Sequence, residues 1–193
     1  MKRIAVFCGS SSGTETVFEK EAQTLGQTLA KEKIDLVYGG ANVGLMGALA
    51  NATLSEGGNV IGVIPTFLKS KEIAHLGLTE LHIVASMHER KTKMNDLSDG
   101  AIALPGGFGT LEELFEMLTW GQLGLHQKPV GLLNVNGFYD ELIQLMDTMV
   151  EKGFLKEIYR KLVLISNNPN DLLAQMRTYE APIVGKWITR ETT

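Results

Sequence analysis

At 193 residues with 44% hydrophobic and 21% charged side chains, the chain can bury a substantial core and fits one globular domain better than two, so a single domain over 1–193 is expected. A net charge of −4 and a sequence pI of about 5.6 exclude a sequence-independent grip on nucleic acid, which needs clustered Lys and Arg; the Arg90-Lys91 pair is too local to reverse that. No stretch reaches the roughly 20 apolar residues of a membrane span, and the one cysteine, Cys8, permits no intramolecular disulfide, so no membrane partner and a cytoplasmic location are expected.

The first apolar run, 4–7, predicts a strand; despite the preceding Lys2-Arg3 it is too short for the core of a signal peptide. It ends at Cys8, which reads as a small buried hydrophobe, and passes into "CGSSSG" at 8–13. Phe18, Ala22, Leu25 and Leu29 then recur at i, i+4, i+7 and i+11, the stripe of an amphipathic helix. A second strand at 36–38 runs into "GGANVGLMG" at 39–47, and a third at 60–64 precedes a long irregular stretch, 65–79. That stretch exceeds ordinary connections, which leaves two readings open: a binding lid or contact, and a plain excursion with a helical turn.

A fourth strand at 81–84 leads to "SMHERKTKMNDLSDG", where Met87, Arg90, Met94 and Leu97 share one helical stripe. Arg90 interrupts that stripe with a charge. A buried guanidinium needs an anion, here a carboxylate or a ligand phosphate; the competing reading is an edge arginine that snorkels to water. A fifth strand at 101–104 breaks at Pro105, and "PGGFGT" at 105–110 opens another helix. Thr110-Leu111-Glu112-Glu113 has the spacing of a capping box, with Thr110 as cap and Glu113 reaching back. Capping and catalysis both stand open for Glu113, and the pattern by itself favours capping. Strands at 130–133 and 162–165 flank a helix striped by Phe138, Leu142, Leu145 and Met149, and the tail after Pro182 is expected to be loosely held.

Short apolar strands alternating with helices predict a doubly wound, Rossmann-like α/β fold: a parallel sheet of about seven strands covered on both faces. Three strands run directly into glycine-rich turns, and in such a sheet these turns gather at the carboxyl ends, where helix N-termini can hold phosphate. The first turn lacks G-x-G-x-x-G, and Tyr38-Gly39-Gly40 ends the second strand where an acid for ribose would stand, so a dinucleotide cofactor is disfavoured. There is no Walker motif and no G-x-S-x-G. His75, His82, His88 and His126 have no metal-ligand spacing, so no metal is expected.

"MHERK" at 87–91 followed by "PGGFGTLEE" at 105–113 resembles the PGGxGTxxE signature of the LOG ("Lonely Guy") family, the cytokinin riboside 5′-monophosphate phosphoribohydrolases. The likeness extends through "FCGSSSG", "LVYGGANVGLMG" and "TWGQLGLHQKPVGLLNVNGFYD", and is close to the bacterial members. Some relatives carry the label lysine decarboxylase, but no pyridoxal-phosphate motif appears here.

The resemblance implies hydrolysis of the N-glycosidic bond of N6-modified adenosine 5′-monophosphates, or of AMP, without a cofactor, by a homodimer. It places the catalytic pair on Arg90 and Glu113, with Glu113 beneath C1′. It places phosphate and substrate binding on Gly106, Gly107, Phe108, Gly109, Thr110, Leu111 and Glu112, and further contacts on Glu72, Lys91 and Thr119. The helices near 87–97 and from Thr110 are the expected dimer interface. A nucleotide-binding sensor without turnover is the first competing reading, and an enzyme acting on a different nucleotide is the second.

Overall fold

Each of the seven apolar runs forms a strand in the computed structural model, which describes residues 1–69 and 74–182. They are β1 (Arg3–Phe7), β2 (Asp35–Tyr38), β3 (Val60–Pro65), β4 (Glu80–Val84), β5 (Gly100–Ala103), β6 (Val130–Leu133) and β7 (Val163–Ser166). All pair in parallel in one sheet of order β4-β3-β2-β1-β5-β6-β7. The central strands are buried along nearly their whole length and the edge strands β4 and β7 only in part. That gradient is what coverage by helices on both faces produces.

The connections carry eight helices among the described residues: α1 (Thr16–Lys31), α2 (Gly44–Ser55), α3 (Thr66–Lys69), α4 (Met87–Leu97), α5 (Phe108–Gln122), α6 (Asp140–Glu151), α7 (Glu157–Arg160) and α8 (Pro169–Arg177). Two apolar layers sandwich the sheet. One joins Ala22, Leu25 and Leu29 of α1 with Leu45 and Leu49 of α2 and Leu172 and Met176 of α8; the other joins Met94 of α4, Leu114 and Met117 of α5 and Met146 of α6.

The stripe read around Phe138 is corrected. α6 begins only at Asp140, so Phe138 stands outside it in edge-to-face contact with Phe18, and Leu145 is 49% exposed. The inward face is Leu142, Ile143 and Met146. Residues one position apart in such a repeat differ by about 100° around the helix, and only the packing partner selects which neighbouring stripe turns inward.

The 65–79 stretch contains the short helix α3, meets the turn after β2 where Ala74 makes an isolated antiparallel bridge with Ala41, and re-enters the sheet at β4. Glu72 and the tail from residue 183 lie outside the described residues. No helix among the described residues is long and apolar enough to cross a membrane.

Candidate active site

The strand order reverses between β1 and β5: the chain winds outward through β2, β3 and β4, then returns to place β5 on the other side of β1. Open α/β sheets hold ligands in the crevice at such a reversal, outside the carboxyl ends of the strands. The turns after β1 and β5 meet there, with Gly9 N–H donating to the Pro105 carbonyl at 3.0 Å. A Cβ on Gly106 would overlap Thr110 Oγ1 and stand 2.9 Å from Gly9 N, so only glycine permits this crossing. The third glycine-rich turn, after β2, closes the side, and all three line a cleft of about 430 Å³.

One wall of the cleft is the start of α5. Gly107 takes the N-cap position in an extended conformation (φ −92°, ψ −155°), and Leu111 N–H donates to its carbonyl at 3.1 Å. The expected capping box at 110–113 does not form. Because Gly107 starts the helix, Thr110 is already its third residue and Glu113 lies beyond the first turn, where no backbone N–H is left to cap. The N–H groups that this terminus leaves without an intrahelical partner belong to residues that line the cleft, Gly107, Phe108, Gly109 and Thr110. A side-chain cap does occur one helix earlier: Ser86 Oγ accepts from Glu89 N–H at 3.1 Å, and Glu89 Oε2 reaches back past the cap to accept from Ala85 N–H at 2.7 Å.

Freed from capping, Glu113 meets Arg90. Arg90 Nη1 stands 3.6 Å from Glu113 Oε1, with side-chain exposures of 11% and 10%. Arg90 Nε donates to the Val63 carbonyl at 3.1 Å, which aims the guanidinium across the end of β3. A Cβ on Gly39 would overlap Arg90 Nη2, so the glycine after β2 makes room for the arginine. The anion that Arg90 requires is therefore a carboxylate at the cleft wall. Burial, opposed by Arg90 and reinforced by Glu112, pushes the Glu113 carboxyl up to about 7. A carboxyl poised near neutrality in a cleft is suited to proton transfer and to stabilising developing positive charge.

The remaining expected residues divide. Glu112 lines the cleft, while Lys91 Nζ sits outside its lining, bonded to Glu112 Oε1 at 2.5 Å and Glu116 Oε1 at 3.0 Å. Burial works against the Lys91 ammonium, but its two carboxylate partners outweigh it and hold its pKa above the usual value. Leu111 packs into the core layer beneath α5, and Thr119 is exposed further along that helix, outside the cleft lining.

Cys8 was missed as a site residue. It is buried, as read, yet lines the cleft, and its thiol is held protonated first by burial, then by the Glu113 charge, against Arg90. Its place at the carboxyl end of a strand beside the reversal was the available signal. Val43, Met46, Ile64, Leu68 and Met87 form an apolar wall of the cleft that sequence reading also missed.

A family model described as "Possible lysine decarboxylase" matches residues 46–176. Cytokinin riboside 5′-monophosphate phosphoribohydrolase LOG7 of Arabidopsis thaliana is 48% identical over 179 residues, covering 93% of this chain and 82% of that protein. Probable cytokinin riboside 5′-monophosphate phosphoribohydrolase LOGL1 of Oryza sativa subsp. japonica is 50% identical over 177 residues, covering 92% and 79%. Among solved structures, the molybdenum cofactor binding protein from the phototrophic bacterium Rippkaea orientalis superposes with a TM-score of 0.70 at 25% identity, covering 92% of this chain and 97% of that one.

Proposed function

Since the chain belongs to the LOG family of cytokinin riboside 5′-monophosphate phosphoribohydrolases, we propose that it hydrolyses the N-glycosidic bond of N6-modified adenosine 5′-monophosphates, and of AMP, to free base and ribose 5-phosphate, acting as one domain. The bacterial affiliation is part of this proposal and rests on the likeness of the motifs.

The observation that carries it is the Arg90–Glu113 pair at the cleft wall, beside a helix N-terminus built from glycines. In this reading the N–H groups of 107–110 and the α5 dipole hold the 5′-phosphate. Glu113 sits beneath C1′, where its carboxylate stabilises the oxocarbenium character that grows as the bond to the base breaks, and orients the attacking water. Arg90 fixes the sugar–phosphate and balances charge as the base departs with the bonding pair; the attacking water gives its hydroxyl to C1′, and the proton it loses matches the one the base takes up. The apolar wall from Val43 to Met87 supports a nucleobase with an alkylated N6.

A homodimer belongs to the proposal. Support comes from Phe108, 93% exposed at the head of α5, from Met87 at the head of α4, and from Thr119, which stands outside the cleft of its own chain. Sedimentation equilibrium at micromolar protein reads twice the chain mass if this holds, and the single-chain mass if it does not.

The deciding experiment follows release of free base from isopentenyl-AMP, AMP, the riboside without phosphate, and NAD. Hydrolysis of both monophosphates with little action on the riboside supports the phosphate cradle and the reaction. AMP binding without base release from any of them refutes the enzyme and supports a binding protein that does not turn its nucleotide over.

A further inference from the structure

His75 is buried to 7% exposure and belongs to none of the groups assigned above. It lies where the excursion after β3 rejoins the body of the protein. Ala74 bridges Ala41 in antiparallel register, and His75 N–H donates to the Gly40 carbonyl at 2.9 Å. Its ring is bonded at both nitrogens. Gly77 N–H donates to Nδ1 at 3.0 Å, and Nε2 lies 2.9 Å from Asn51 Oδ1. A backbone N–H can only donate, so Nδ1 is the acceptor and Nε2 carries the proton toward Asn51. Burial holds the imidazole below its usual pKa, in keeping with a neutral ring.

The network continues from Asn51 Nδ2 to Asn42 Oδ1 at 3.3 Å. Residues 40, 41, 42 and 51 belong to the second glycine-rich turn and to α2 behind it, so backbone and side chain of one residue grip that turn at successive points. The same turn contributes Gly39, Ala41, Val43 and Met46 to the cleft, and Gly39 is the residue fitted against the Arg90 guanidinium. Nothing in the sequence pattern joined His75 to the turn, since Gly40 and Asn42 precede it by 35 and 33 positions.

We infer that His75 is a positioning residue for the nucleotide: by donating to Asn51 it braces the 39–47 turn and holds the cleft wall that faces the substrate. The inference rests on the reading of this cleft as the nucleotide site. Because α5, which carries Glu113, makes none of these bonds, and Arg90 is held by the Val63 carbonyl and Glu113 and only touched by Gly39, the brace acts on binding rather than on the bond-breaking step.

The test measures the Kd for AMP by titration calorimetry together with KM and kcat for isopentenyl-AMP. His75→Ala is expected to weaken AMP binding and raise KM by roughly three- to ten-fold, the worth of one hydrogen bond, with kcat within about two-fold of wild type. The two isosteres separate the arms. His75→Gln places an amide N–H near the position of Nε2 and restores affinity, whereas His75→Asn reaches only the position of Nδ1 and stays impaired. Asn51→Leu, on an exposed residue, reproduces the His75→Asn defect, and combining the two adds nothing further. If His75→Ala does not fold, Asn51→Leu carries the same comparison. Wild-type affinity in His75→Ala or Asn51→Leu, or equal losses in His75→Gln and His75→Asn, overturns the inference. Should the wild-type protein bind AMP but release no base, the proposed reaction fails while the Kd series still decides the role of His75.

Discussion

Replacing Glu113 by glutamine keeps the shape of the side chain and removes its titration, and the two consequences run in opposite directions. The folded carboxyl titrates near 7 against 4.5 for the free group, because burial outweighs the attraction of Arg90. The folded state therefore binds more protons than the unfolded chain between those values, and stability falls as pH rises through that window. Integrated from pH 5 to pH 8, the loss is about 2–3 kcal/mol, which glutamine does not suffer. Relative to wild type, Glu113→Gln should thus gain about 5–10 °C in Tm between pH 5 and pH 8, at roughly 2–4 °C per kcal/mol for a chain of this size. Turnover of isopentenyl-AMP should fall about 10²- to 10⁴-fold, the range for losing a positioned acid–base or charge-stabilising group, while AMP still binds. Thermal melts at the two pH values and single-turnover base release measure both effects on one preparation. Wild-type turnover, or a Tm change that is the same at pH 5 and pH 8, would refute a buried, functional carboxylate at this position.

Three further outcomes follow from the same geometry. At substrate well below KM, kcat/KM for wild type should fall about tenfold per pH unit below about 7, since the ionised Glu113 of the free protein is the active form, and a flat acid limb would remove Glu113 from the bond-breaking step. Arg90→Lys keeps the charge but loses the fork that reaches the Val63 carbonyl and Glu113 together, so kcat/KM should drop about 10²-fold in a steady-state assay; a drop under threefold would make Arg90 structural. Gly106→Ala forces a Cβ onto Thr110 and toward the Gly9 backbone, costing about 1–3 kcal/mol of stability and weakening phosphate-dependent AMP binding, and unchanged calorimetric affinity would separate the β1–β5 crossing from the phosphate site.

Much of this molecule is written locally. The seven strands are visible because a parallel sheet buried on both faces demands short apolar, β-branched runs, and each such run became a strand within a residue or two of its expected ends. The three glycine turns are visible for a similar reason: the backbone approach at Gly106 admits no side chain, and a chain position that excludes every Cβ announces itself. The motif likeness, in turn, was enough to name Arg90 and Glu113 as a pair.

What the sequence by itself left undecided was decided by contacts between distant segments. Whether Glu113 caps a helix or faces a cleft depends on where α5 begins, and that was set by Gly107 and by the Gly9–Pro105 crossing, not by the Thr-x-x-Glu spacing. The partner of Arg90, the place of Cys8 at the cleft, the exposure of Leu145 and the grip of His75 on the second turn all join residues carried by different elements. Periodicity records which face of a helix is apolar, and glycine records where backbones touch. Which buried charge meets which, and the protonation state that follows, are properties of the assembled sheet and the dielectric it encloses.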